Sequence, residues 1–278
     1  MPDDQRWGSM ISEILSLGEA GGPTGWVLFL LALFAFVAGF VDAVVGGGGL
    51  VQVPALFALV PQGSAASLFG TNKIAAISGT FIAATRYVRA VKLSWDALLP
   101  ALIGAAIFGW LGAAAVSLLP RELAQPLVLV LLIIVAIATF RKKELGSVHD
   151  PRFSVTKARL AGFATGALLG FYDGFFGPGT GAFLIFIFVR FFGYDFLHAS
   201  ASSKMVNLMT NLAALAFFLP AGEFFLLAAL AMAASNIAGA FVGTHLAVTK
   251  GSQFVRRFFL ILLVVLIARM AYGTLEMF

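Results

Sequence analysis

From Trp26 onward the chain is a succession of apolar runs, most of them about 20 residues long, the length an α-helix needs to cross the hydrocarbon core of a bilayer. Backbone in lipid must satisfy its own hydrogen bonds, which leaves helices or a closed barrel. The runs lack the apolar/polar alternation of barrel strands, so the expected fold class is all-α integral membrane. Composition agrees, with 60% of the 278 residues hydrophobic and 11% charged. A soluble fold would leave much of that apolar surface in water.

Several function classes fall away. Cysteine is absent, which excludes disulfides and thiolate metal sites. His149, His198 and His245 are scattered without ligand spacing, and His198 and His245 read as bystanders, so neither metal nor cofactor is expected. The formal charge of +5 comes from basic residues between apolar runs, where topogenic signals sit, and no nucleic-acid partner is expected. No GxxxxGK[ST] stretch is present to couple ATP within the chain. Residues 1–24 carry Asp3, Asp4, Arg6, Glu13 and Glu19 and show no cleavable signal pattern. There Met10, Ile11, Ile14 and Leu15 would share one face of a short interfacial helix.

The chain is written twice. Asp173 lies 131 residues after Asp42, and Lys204 lies the same distance after Lys73. At that shift Gly39-Phe40-Val41-Asp42 meets Gly170-Phe171-Tyr172-Asp173, Gly46 and Gly48 meet Gly177 and Gly179, and Gly112 meets Gly243. The small-residue ladder Ala35, Gly39, Ala43 meets Gly166, Gly170, Gly174, and Ser235, Gly239 and Gly243 make another; such spacing lets membrane helices approach closely. We divide the chain into a polar segment 1–25, a first membrane repeat 26–145 and a second 146–278. Each repeat reads as five segments: 26–45, 50–60, 67–88, 95–119 and 123–140, then 159–176, 181–192, 199–219, 223–248 and 254–274. The second of each is short, about 16 Å of helix, and follows a glycine-rich loop that must lie within the membrane.

Basic residues set the topology. With five segments per repeat, Arg86, Arg89, Lys92, Arg141, Lys142, Lys143, Arg152, Lys157, Arg159, Arg190, Lys250, Arg256 and Arg257 gather on one side. The positive-inside rule then puts both termini outside, and an odd segment number inverts the second repeat relative to the first. Short, glycine-interrupted segments at matching places in two repeats point to a carrier's binding site.

The residues able to carry chemistry sit there. Gly47, Gly48 and Gly49, and Gly179, Thr180 and Gly181, open the short helices, whose unpaired N–H groups would make anion sites. Asn72 and Lys73, with Ser203, Lys204, Asn207 and Asn211, lie inside membrane helices, and the last three share one face. A buried lysine requires a counter-charge, either a substrate anion or the intramembrane acids Asp42 and Asp173. Those acids could serve as proton carriers or hold the loops.

At these residues the chain resembles the TauE/SafE family of membrane anion carriers. Gly39-Phe40-Val41-Asp42 through Gly49-Leu50, Thr71-Asn72-Lys73, and Gly170 through Pro178 match its hallmark stretches, and the likeness covers nearly all of the chain past residue 25. The resemblance implies a secondary transporter of sulfite, sulfonate or a related sulfur-containing anion in a bacterial cytoplasmic membrane, usually an exporter. Pro178 and Thr180 depart from a plain glycine run in the second loop. The partners implied are a small anion and the lipid bilayer, with proton coupling and a homo-oligomer both open. An anion channel is the nearer alternative. An intramembrane aspartyl protease is the more distant one, for which Tyr172-Asp173 supplies one acid but Asp42 lacks the expected context.

Overall fold

The computed structural model of the chain describes residue 23 and residues 25–117 and 149–275. The interfacial helix expected near residue 10 and the segment expected at 123–140 lie outside the described residues. Within them every regular element is helical: α1 (Trp26–Val45), α2 (Gly49–Leu59), α3 (Ala65–Ala90), α4 (Trp95–Val116), α5 (Val155–Phe175), α6 (Thr180–Arg190), α7 (Phe196–Phe218) and α8 (Leu226–Leu275). α8 is broken at Gly251, whose φ of 70° and ψ of −170° are non-helical, and this break separates the segments expected at 223–248 and 254–274. α1, α4 and the 226–258 part of α8 are long and apolar enough to cross a membrane.

Those three helices face outward, as α5 does through Leu160, Leu168 and Phe171. Trp26, Phe29, Leu33, Phe36 and Val37 of α1, Leu99, Ile103, Ile107 and Trp110 of α4, and Leu227, Leu230, Ile237 and Phe241 of α8 are exposed at helical spacing, an apolar girdle that lipid would cover. α3 and α7 take the centre instead. Their buried faces carry Thr71, Asn72, Lys73 and Thr80, and Ser200, Ser202, Ser203, Lys204, Asn207, Thr210 and Asn211, which is why sequence hydropathy alone under-represents them.

The small-residue ladders act as tracks for close backbone approach, where a side chain would collide. On α5, Gly162, Gly166, Gly170 and Gly174 lie against Ala97, Ala101, Ala105 and Gly109 of α4. On the other side Gly39 of α1 meets the backbone of Asn236 in α8, and Gly239 and Gly243 of α8 meet the carbonyls of Phe36 and Phe40. The two contacts correspond at the 131-residue shift, for Gly39 and Ala105 become Gly170 and Asn236. Each repeat therefore lays its first helix on the fourth segment of the other.

Loop contacts define two ends. At one end Asp150 N donates to Gly193 O (2.8 Å), Arg152 N donates to Phe192 O (3.1 Å) and Arg159 pairs with Asp96 (3.1 Å). Leu197 N there donates to Ser252 Oγ (3.1 Å). Loops around residues 92, 152, 193 and 252 thus meet at one end. At the other end Ser64 and Ser67 donate to Glu223, and Phe225 N donates to Thr71 Oγ1. Consequently α3 starts beside the end of α7, where Gly70 packs on Phe218, and the two run in opposite directions.

Candidate functional site

The short helices are shaped by their loops. α1 stops at Gly46, a left-handed residue (φ 76°) whose N–H donates to Asp42 O at 2.8 Å. The chain turns back and starts α2 at Gly49, while α5 turns through Gly177 (φ 97°) and Gly179 (φ 82°) into α6. Only glycine takes such φ angles without strain. The loops touch each other: Ala182 N donates to Gly46 O (3.0 Å), and a Cβ on Gly46 or Gly181 would overlap the backbone of the other. A Cβ on Gly49 would come 3.0 Å from Pro178 Cα.

Around the crossed loops lie two ion pairs. Lys73 Nζ donates to Asp173 Oδ2 at 2.7 Å, and Lys204 Nζ donates to Asp42 Oδ2 at 2.8 Å. Each lysine of one repeat holds the acid of the other. Lys73 is 1% exposed and Lys204 0%, so neither snorkels to an interface. Thr210 Oγ1 also donates to Asp173 Oδ2, and Thr80 Oγ1 to Asp42 Oδ2 at 3.4 Å. Each lysine stands eight residues into its helix, about 12 Å from its start. Because α3 and α7 start at opposite ends, the pairs lie at different depths.

Between them is a cavity of about 30 Å³ lined by Asp42, Gly48, Gly49, Asn72, Lys73, Asp173, Asn207 and Asn211 among the expected residues. One water needs roughly 10–15 Å³ on this scale, so the space holds a water or two and nothing as large as an organosulfonate. Its chemistry is mixed, with donors from side-chain amides and Lys73 and acceptors from Asn72 and the two carboxylates. Gln52 Nε2 and Asn72 Oδ1 are buried without partners, and the Gly48 and Gly49 amides precede the first bonded donors of α2, Leu50, Val51 and Gln52. Asn236 Nδ2 donates to Gln52 Oε1 at 2.9 Å, and Asn211 Nδ2 to Asn207 Oδ1 at 2.7 Å.

The remaining expected residues support this wall from behind. Gly47 O accepts from Leu50 N, and Gly179 O from Phe183 N. Thr180 Oγ1 donates to Gly177 O at 2.8 Å, and Ser203 Oγ to Gly181 O at 3.0 Å, fixing the second loop. Lys204 reaches the cavity only through Asp42. Gly48 has a packing reason for being glycine besides its amide, since a Cβ would come 2.6 Å from Ala38 O and 2.7 Å from Asp42 Cβ. Neither acid holds a loop amide through its carboxylate among the described contacts, and the lysines take that place. The lining residues missed from sequence are Gln52, Ala76 and Asn236, while Gly46 and Gly177 belong to the expected glycine loops and Thr80 to the polar stretch of α3. For Gln52 and Asn236 the available signal was an amide in an otherwise apolar run.

Comparison with known proteins bears on what such a site is for. The family model described as sulfite exporter TauE/SafE matches residues 31–270. A probable membrane transporter protein of Haemophilus influenzae is 32% identical over 250 residues, 88% of this chain and 95% of that protein. A probable membrane transporter protein, ORF9, of a Sinorhizobium species is 33% identical over 245 residues, 88% of this chain and 92% of that protein. The probable membrane transporter protein YfcA of Escherichia coli K12 is 30% identical over 252 residues, covering 89% and 91%. No solved structure matches.

Proposed function

The chain belongs to the sulfite exporter TauE/SafE family of membrane transporters, and we propose that it is a secondary carrier of sulfite, a sulfonate or a related sulfur-containing anion. It works by alternating access around the crossed glycine loops, in ten segments arranged as two inverted repeats with both termini outside the bacterial cytoplasmic membrane. The observation that carries this reading is the buried cavity between two reciprocal Lys–Asp pairs, lined by side-chain amides, one of which, Gln52 Nε2, is an unpartnered donor. The oxygens of a sulfur oxyanion accept from such donors, and charge-assisted bonds to an ammonium are the strong ones.

The charges also suggest the coupling. Two lysines and two aspartates sum to zero, so an anion entering the cavity would stand uncompensated in a medium of low dielectric. A proton taken up by Asp173 neutralises that carboxylate and releases the Lys73 ammonium to bond the anion. When the proton leaves on the far side, Asp173 takes Lys73 back and the anion departs. Asp42 and Lys204 would repeat the exchange at the other depth. A channel would open a continuous wet path through these loops, and saturable, gradient-coupled flux separates it from a carrier. Protease chemistry would need the two acids to share one site, whereas each is held by its own lysine.

Flux into sealed proteoliposomes tests this, with sulfite, sulfoacetate, thiosulfate, sulfate and carboxylates compared with and without an imposed pH gradient. Saturable flux of a sulfur oxyanion, driven by the proton gradient, is expected. Flux that rises linearly with concentration and ignores the gradient would replace the carrier with a channel.

A further inference from the structure

The loops at the basic end hold a second cluster that plays no part in the cavity. A ring nitrogen from each of His149 and His198 and a carboxylate oxygen of Asp195 all lie within 4.8 Å of one another. Asp195 caps α7: its Oδ1 accepts from His198 N at 2.9 Å and from Ser252 Oγ at 3.2 Å, and its Oδ2 stands 2.8 Å from His198 Nδ1. His149 arrives from the segment that joins the two repeats and stacks on His198 with ring centroids 3.9 Å apart. Hydrogen bonds from Asp150 N to Gly193 O and from Arg152 N to Phe192 O fix that segment.

His149 Nδ1 is buried and has no hydrogen-bond partner. An orphaned buried nitrogen calls for an unseen water or ion, and the His198 ring and the Asp195 carboxylate are near neighbours of the His149 ring.

We propose that His149, Asp195 and His198 form a binding site for a divalent transition-metal ion. Two imidazoles and one carboxylate suit Zn²⁺, Co²⁺ or Ni²⁺, whereas Ca²⁺ and Mg²⁺ prefer oxygen ligands throughout. Ligand bonds of roughly 2.0–2.2 Å set donor atoms about 3.0–3.5 Å apart, so the His149 ring must turn out of its stack on His198 and the Asp195–His198 hydrogen bond must open. The metal displaces the proton shared by Asp195 Oδ2 and His198 Nδ1, and water fills the open coordination. It fastens the inter-repeat segment to the first turn of α7, six residues and about 9 Å before Lys204. Through Ser252 it also reaches the break in α8. A bound ion therefore restrains α7, the helix that must shift if the cavity is to open toward this end, and slows transport.

Tag-free protein in detergent, stripped with EDTA, is titrated with Zn²⁺ by calorimetry and with Co²⁺ by visible absorption. One equivalent is expected to bind with a Kd of about 10 µM or tighter, to raise the melting temperature and to give Co²⁺ ligand-field bands. His149→Ala and His198→Ala each weaken binding roughly tenfold or more, while His245→Ala, remote from the cluster, leaves it unchanged. His149→Gln substitutes where alanine disturbs folding, since it keeps size and polarity. Absence of saturable binding, or binding that survives both His149 variants, overturns the site. Because the readout is metal binding rather than flux, it stands apart from the transport reading.

Discussion

Removing one acid from the buried pairs gives the strongest test of how the repeats are joined. At 2.8 Å and an effective dielectric of about 20, the Lys204–Asp42 attraction is roughly 6 kcal/mol before desolvation is subtracted. Breaking one partner of a buried pair costs about 3–5 kcal/mol, because the other charge is left alone. Asp42→Asn and Lys204→Met should each destabilise by about that amount, lowering the melting temperature by roughly 6–20 °C for a chain of this size. The double variant leaves no orphan and should recover most of the loss, a coupling energy of about 2 kcal/mol or more. Asp173→Asn should be the harshest single change, since the Asp173 side chain is 3% exposed against 17% for Asp42 and also accepts from Thr210. The control crosses partners: Asp42→Asn with Lys73→Met combines groups that do not pair and should add without recovery. The assay is reversible unfolding in detergent micelles. If the within-repeat combination couples as strongly as the cross-repeat one, the reciprocal pairing is wrong.

Three further outcomes follow from the loops, the amides and the ends. Gly46→Ala should prevent folding, because left-handed φ costs roughly 1–2 kcal/mol and the new Cβ overlaps Gly181; Gly25→Ala, at φ 53° with open space around it, should cost only the strain, and size-exclusion profiles separate the two. At sulfite concentrations about 100 times Kd the parent protein should gain roughly 2.7 kcal/mol of stability. Asn207→Ala should lose about 1.4 kcal/mol of that gain, on top of an anion-independent loss of about 1–3 kcal/mol because Asn211 Nδ2 is left without its acceptor, and an equal gain in the variant would remove Asn207 from the site. On this cysteine-free chain, single cysteines at Lys92, Asp150 and Gln253 should all label from one face and those at Gln62 and Ala221 from the other; any exchange between the groups refutes the assigned ends.

Much of this was legible beforehand, for physical reasons that also explain the rest. Helix positions follow from apolar runs, so α1 runs over 26–45 as expected, and the short α2 and α6 follow from glycine loops whose flanks are too brief to span. The 131-residue register brought Asp42, Asp173, Lys73 and Lys204 forward because charge in lipid requires a reason. Which acid serves which lysine was not legible. The partners stand 100 and 162 residues apart, and either pairing satisfies the same composition. Gln52 and Asn236 sat in runs whose average hid them, and only their mutual hydrogen bond marks them as cavity lining. His149 and His198 have no ligand spacing in sequence, since they meet through the pairing of the 149–154 segment with the turn at Gly193.

The exchange of first helices between repeats has a consequence for how the protein is made. Gly39, whose bare backbone face is shaped to receive Asn236, leaves the ribosome 197 residues before its partner. At about 5–20 residues per second α1 waits in the bilayer for roughly 10–40 s with that groove unfilled. Its exposed phenylalanines suit lipid throughout, but the groove is open to any other small-residue helix nearby. α5 waits for nothing, because α4 is already in place when Gly162 through Gly174 emerge. Assembly is therefore nucleated at the α4–α5 junction in the middle of the chain and closed last by α8 returning to α1. A nascent chain stopped before residue 226 should present an unclaimed α1 to the membrane's quality-control proteases, however well its other helices have packed.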